Sequence, residues 1–137
     1  MEYVFVYGTL RPPREGQDPR DSMYHAAVAH RVLGSVPAWL DGAELYDFGD
    51  YPGAYPGRGR VHGDLLAVEP QALGIMDRIE EEGHEYRRRR VTVHTEGGAQ
   101  EAWIYWAPEG WRSRGRRIPS GDWFHRGAGH AGRGDGR

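Results

Sequence analysis

The sequence predicts one α+β domain, built on a compact mixed, barrel-like β-sheet with a few short helices. Three observations predict it. Short β-prone runs recur along the chain, only two stretches carry helical patterning, and the two kinds alternate irregularly rather than as strand-helix repeats. With 137 residues the chain suits a single core that needs neither metal nor disulfide.

Residues 2 to 7 read as a buried first strand, because Val4, Phe5 and Val6 are continuous, apolar and β-prone. Residues 11 to 22 hold Pro12, Pro13, Gly16, Asp18 and Pro19, which predicts a surface loop. Ser22 is placed to cap an alanine-rich helix running from Tyr24 to His30. Val32 to Val36 and Ala43 to Tyr46 follow as two short strands, separated by Pro37 and Gly42. The five glycines and two Tyr-Pro pairs between Gly49 and Gly63 predict a long irregular loop, with its tyrosines arguing for order.

Val61 to Val68 reads as a further strand. Pro70 then opens a helix that reaches about Glu81 before Gly83 stops it. Tyr86 to Thr95 and Glu101 to Ala107 form a strand pair around Gly97-Gly98. The domain is expected over 1–125, followed over 126–137 by a Gly-rich tail without large apolar groups, read as disordered.

The chain has no cysteine, which excludes thiol nucleophiles, disulfides and zinc–thiolate sites. No basic, apolar leader and no membrane-length apolar window occurs, so a soluble cytoplasmic chain is expected. A net charge of −2 steers the protein neither strongly toward nucleic acid nor away from it. The seven histidines lack metal-ligand spacing, the four serines lack a nucleophile elbow, and Gly57-Arg58-Gly59 lacks the third glycine of a dinucleotide fingerprint. No metal or cofactor is expected.

Two other features could carry chemistry. The first strand runs directly into Tyr7-Gly8-Thr9-Leu10, where a turn would present outward N–H groups and a glycine would let a ligand approach. Such a turn can also be an ordinary strand end. Glu80-Glu81-Glu82, with Glu85 close behind, gathers carboxylates at a helix C-terminus, where they oppose the macrodipole. At 100° per residue, Ala72, Ile75, Met76 and Ile79 form one apolar stripe; Glu81 points away from it, and Glu80 and Glu82 flank it equally. The same acids could instead pair with the arginines that follow. Arg87 to Arg90 alternate faces along a strand and, with Arg112, Arg114, Arg116 and Arg117, could form a phosphate-binding patch.

Four motifs in order resemble the gamma-glutamylcyclotransferase-like family, in its gamma-glutamylamine cyclotransferase branch, over most of residues 3 to 124. They are Tyr7-Gly8-Thr9-Leu10; Tyr51-Pro52 with Val61-His62-Gly63-Asp64; Met76-Asp77-Arg78-Ile79-Glu80 with Tyr86-Arg87-Arg88; and Ile118-Pro119-Ser120-Gly121-Asp122-Trp123. The resemblance implies a mixed sheet around a pocket, with Glu80 rather than Glu82 as acid and base. It also implies substrate binding by the backbone of Tyr7, Gly8, Thr9 and Leu10, with Tyr51 at the rim. The implied reaction needs no cofactor: the α-amine of a gamma-glutamyl group attacks its own side-chain carbonyl, releasing 5-oxoproline and an amine. Pro12-Pro13 depart from the family's first-loop pattern, on the side that shapes the leaving group. A silent ligand-binding module of the same fold and a nucleic-acid binder using the arginine strand are the alternatives.

Overall fold

A computed structural model describes residues 1–12, 26–81 and 86–126. Most of the expected 11 to 22 loop, its Ser22 cap and the tail over 127–137 lie outside the described residues. Strand β1, Glu2–Val6, runs antiparallel to β3, Pro52–Val68, in the register Glu2↔Val68 to Val6↔Asp64. Strand β2, Val32–Asp47, lies antiparallel on the other side of β3. Strands β4, Arg87–Thr95, and β5, Gly98–Trp106, form the hairpin expected at Gly97-Gly98.

Two narrow contacts close this sheet into a ring. Val4 of β1 pairs in parallel with Trp103 of β5, and Trp39 of β2 pairs with His94 of β4. The circuit β1–β3–β2–β4–β5 returns to β1, a barrel-like closure that shields strand edges. A two-residue strand β6, Arg116–Arg117, extends it beside the end of β2.

One apolar cluster draws on all five strands, as the interior of a closed sheet must, and includes Phe5, Leu40, Leu45, Val61, Leu65, Val93 and Ile104. The other face of β1 contributes Val4 and Val6 to a second cluster with Leu66, Val68 and Tyr86. Helix α1, Ala26–Ala29, adds Val28 to it, and α2, Pro70–Glu81, adds Ala72 and Met76. Period two on β1 therefore feeds two cores at once.

Two expectations fall here. The segments Val32 to Val36 and Ala43 to Tyr46 are one continuous strand, because Pro37 pairs opposite Asp64 and Gly42, at φ +79°, absorbs a bulge between Asp41 and Ala43. The region from Gly49 to Gly63 is not a long irregular loop. From Pro52 onward it is strand, paired with β2 from Asp47↔Pro52 to Val32↔Val68. Its glycines mark close packing instead: a Cβ on Gly63 would collide with the Val6 carbonyl oxygen of the neighbouring strand.

Candidate active site

The end of β1 delivers Tyr7 into the turn that the sequence singles out. The Tyr7 hydroxyl donates to the Tyr105 carbonyl at 2.5 Å and accepts from the Ala54 amide at 3.2 Å, tying the start of the turn to β5 and β3. The Arg11 amide closes the turn on the Gly8 carbonyl at 3.0 Å. Gly8 is packed so closely against the start of β3 that a Cβ there would meet Pro52 Cγ at 2.6 Å.

Helix α2 approaches from the other side. Its apolar stripe is buried as periodicity predicts, with Ala72 and Met76 fully enclosed and Ile75 and Ile79 partly so. This orientation leaves Glu80, in the last turn, facing a cavity of about 180 Å³. Tyr7, Gly8, Thr9, Leu10, Tyr51 and Glu80 all line it, so the structure brings the six expected site residues to one place. Glu82 and Glu85 lie outside the described residues.

Burial pushes the Glu80 carboxyl up to about 7, although the residue keeps partial exposure toward the cavity. No ion pair reaches it among the described residues. Two of the following arginines bind other acids: Arg88 binds Asp77 at 3.0 Å, and Arg90 binds Glu101 at 2.9 Å. Three of the nearby phenols donate elsewhere. Besides Tyr7, Tyr86 donates to the Pro52 carbonyl at 2.6 Å and Tyr105 donates to Asp77 at 2.6 Å. Burial raises the pKa of all three tyrosines, and the Glu80 charge adds to each, so they stay neutral while their protons are committed. The result is an aromatic-walled cavity in which burial holds the Glu80 carboxyl near neutrality.

Sequence reasoning did not find Tyr105 as a wall residue, nor Asp50 at the mouth. Period two on β5 could have placed Tyr105 opposite Ile104, but only barrel closure shows which cavity it faces. The second candidate, the arginine run, is dispersed. Arg88 and Arg90 share one face, stacked over Trp103 at 4.4 and 4.9 Å. Arg112 is held by Glu44 at 2.8 Å, and Arg114 lies over the Trp111 ring. Among the described residues no three histidine or carboxylate side chains converge as a metal site would require.

A family profile described as gamma-glutamyl cyclotransferase, AIG2-like, matches residues 4–125. The chain belongs to that family. The gamma-glutamylcyclotransferase family protein YtfP of Escherichia coli K12 is 33% identical over 124 residues, covering 90% of this chain and 96% of the relative. The solution structure of the E. coli protein superposes with a TM-score of 0.59 at 32% identity, over 90% of this chain and 97% of the other. The PH0828 protein of Pyrococcus horikoshii has a TM-score of 0.57 at 29% identity over 90% of both chains. The barrel-like sheet with few short helices is thus the cyclotransferase family's fold. Within it, the family-like Val61-His62-Gly63-Asp64 and Ile118 to Trp123 motifs pair with each other at His62 and Asp122 and do not line the cavity, whereas Tyr7 to Leu10 and Glu80 do. No described helix is long and apolar enough to cross a membrane.

Proposed function

We propose that this protein is a gamma-glutamylcyclotransferase acting on a gamma-glutamyl amine or peptide and releasing 5-oxoproline and the free amine. One observation carries the reading: a carboxyl tuned to about 7 shares a small cavity with the turn formed by Tyr7 to Leu10. Ring closure is intramolecular, so a cavity that holds the glutamyl chain folded supplies much of the catalysis, up to roughly 7–11 kcal/mol in well-oriented cases.

The α-ammonium of the substrate, with a pKa near 8, is well matched to a base near 7. Glu80 takes the first proton, and the freed amine attacks the side-chain carbonyl carbon to form a tetrahedral centre. Backbone N–H groups of the 7 to 10 turn stabilise the developing oxyanion or hold the α-carboxylate. The Glu80 acid then protonates the departing nitrogen, the carbon–nitrogen bond breaks, and the regenerated carboxylate relays the second proton from the ring nitrogen. Two protons leave the α-nitrogen and two arrive on the amine, so Glu80 ends as it began.

The test is 5-oxoproline release from a panel of gamma-glutamyl amines and peptides, with Glu80→Gln beside the wild type. Product from the wild type alone is expected. Equal rates in both would overturn the reading, and thermal stabilisation by a panel compound without product would point to a silent binding module.

A further inference from the structure

The residue that follows the substrate turn is buried, charged and held by two acids from distant parts of the chain. Arg11 is 3% exposed, its Nε lies 2.9 Å from Asp64 Oδ2, and its Nη1 lies 2.8 Å from Asp122 Oδ1. The guanidinium also stacks on Phe124, 4.2 Å from the ring centroid. Asp64 sits on β3 opposite Val6, the last residue of β1. Asp122 caps the turn Trp123–His125 by accepting the Phe124 amide at 3.0 Å, and its segment is tied to β3 where the His62 amide meets the Gly121 carbonyl at 2.7 Å.

These contacts put the turn between two fixed points. Upstream, Tyr7 is anchored to β5 and β3; downstream, Arg11 is anchored to β3 and to the C-terminal turn, while its own amide closes on Gly8. Only three residues separate the anchors. A guanidinium can meet two carboxylates in two directions because its donors are splayed in a rigid plane, which an ammonium on a flexible stem does not reproduce. We propose that Arg11, clamped by Asp64 and Asp122, is a positioning residue that preorganises the Tyr7–Leu10 backbone for substrate and makes the Ile118 to Phe124 segment act on the cavity. The inference rests on the role proposed above for that turn. It gives the Ser120-Gly121-Asp122-Trp123 signature a function at a distance: Asp122 holds the residue that holds the donors.

The test compares wild type with Arg11→Lys and Asp122→Asn, two mild substitutions that keep respectively the charge and the cap acceptor. Hydrogen exchange of the free full-length protein reads the turn directly. Losing one charge-assisted bond is expected to speed exchange of the residue 11 amide, which closes the turn on the Gly8 carbonyl, by about tenfold or more. The β4–β5 hairpin should keep wild-type protection. In the 5-oxoproline assay, kcat/KM should fall by a similar factor while the pH midpoint set by Glu80 stays near 7. Unchanged exchange of the residue 11 amide in both variants, equal acceleration across the hairpin, or a displaced midpoint would each overturn the inference. If the wild type releases no 5-oxoproline, the proposed activity fails on its own, and exchange still decides whether Arg11 anchors the turn.

Discussion

Tyr7 and Tyr105 meet across the closure of the barrel: the hydroxyl at the end of β1 donates to the main-chain carbonyl of β5 at 2.5 Å. Because the same oxygen accepts the Ala54 amide, one phenol joins three strands at the floor of the cavity. The candidate site therefore begins from a point that the barrel itself holds rigid.

Tyr7→Phe deletes that junction and leaves a buried amide and a buried carbonyl without their shared partner. The expected cost is about 1–3 kcal/mol. Thermal melting reads it at roughly 3–5 °C per kcal/mol for a domain of this size.

Glu80→Gln is expected to abolish turnover while stabilising the protein at alkaline pH. Burial raises the folded carboxyl from 4.5 to about 7, so the folded state resists an ionisation that the unfolded state makes freely. Stability from this group is complete below about pH 4.5 and is lost as the pH rises through the folded value near 7. Glutamine removes the loss, on the order of 3 kcal/mol at most. Denaturant melts of the two proteins should coincide at pH 4 and separate by pH 8, with the variant more stable; a variant less stable at pH 8 would contradict a desolvated Glu80.

The pH profile of activity follows from the same group. A general base must be ionised while the substrate ammonium keeps its proton, so kcat/KM should rise with pH to a midpoint near 7 and fall again above about pH 8 as the ammonium ionises. A midpoint near 4.5 would mean that water reaches Glu80 freely in the working protein.

Gly8→Ala probes the other wall. Its new Cβ would stand 2.6 Å from Pro52 Cγ and 2.9 Å from Pro52 Cδ, so the turn or the start of β3 must give way. An overpacking cost of about 1–3 kcal/mol is expected. Displacement of the neighbouring N–H groups should raise KM for the gamma-glutamyl compound, measured by the 5-oxoproline assay.

Helix α2 and the β4–β5 hairpin are legible in the sequence because each is governed by local rules: Pro70 and the Ala72, Met76, Ile79 stripe, and the Gly97-Gly98 turn between β-prone runs. Strand β3 is not. Gly53, Gly57 and Gly63 read as loop punctuation, yet each faces atoms from elsewhere in the chain that would collide with a Cβ, and Gly59 is tightly packed. Glycine required by a neighbour looks the same in one dimension as glycine required by a turn. The arginine strand shows the same ambiguity: its alternation is correct, but Asp77, Glu101 and Trp103 decide what Arg88 and Arg90 do.

By itself the sequence determined helix α2 and the β4–β5 hairpin and, through its four ordered motifs, named the six residues expected at the candidate site. Helical geometry alone left Glu80 and Glu82 equivalent. Only the tertiary structure decided the electrostatics of Glu80, because its raised pKa comes from burial in a cavity assembled from the β1 turn, the start of β3 and Tyr105 of β5. Desolvation depends on whatever packs around a group, and these neighbours reach Glu80 through barrel closure rather than along the chain.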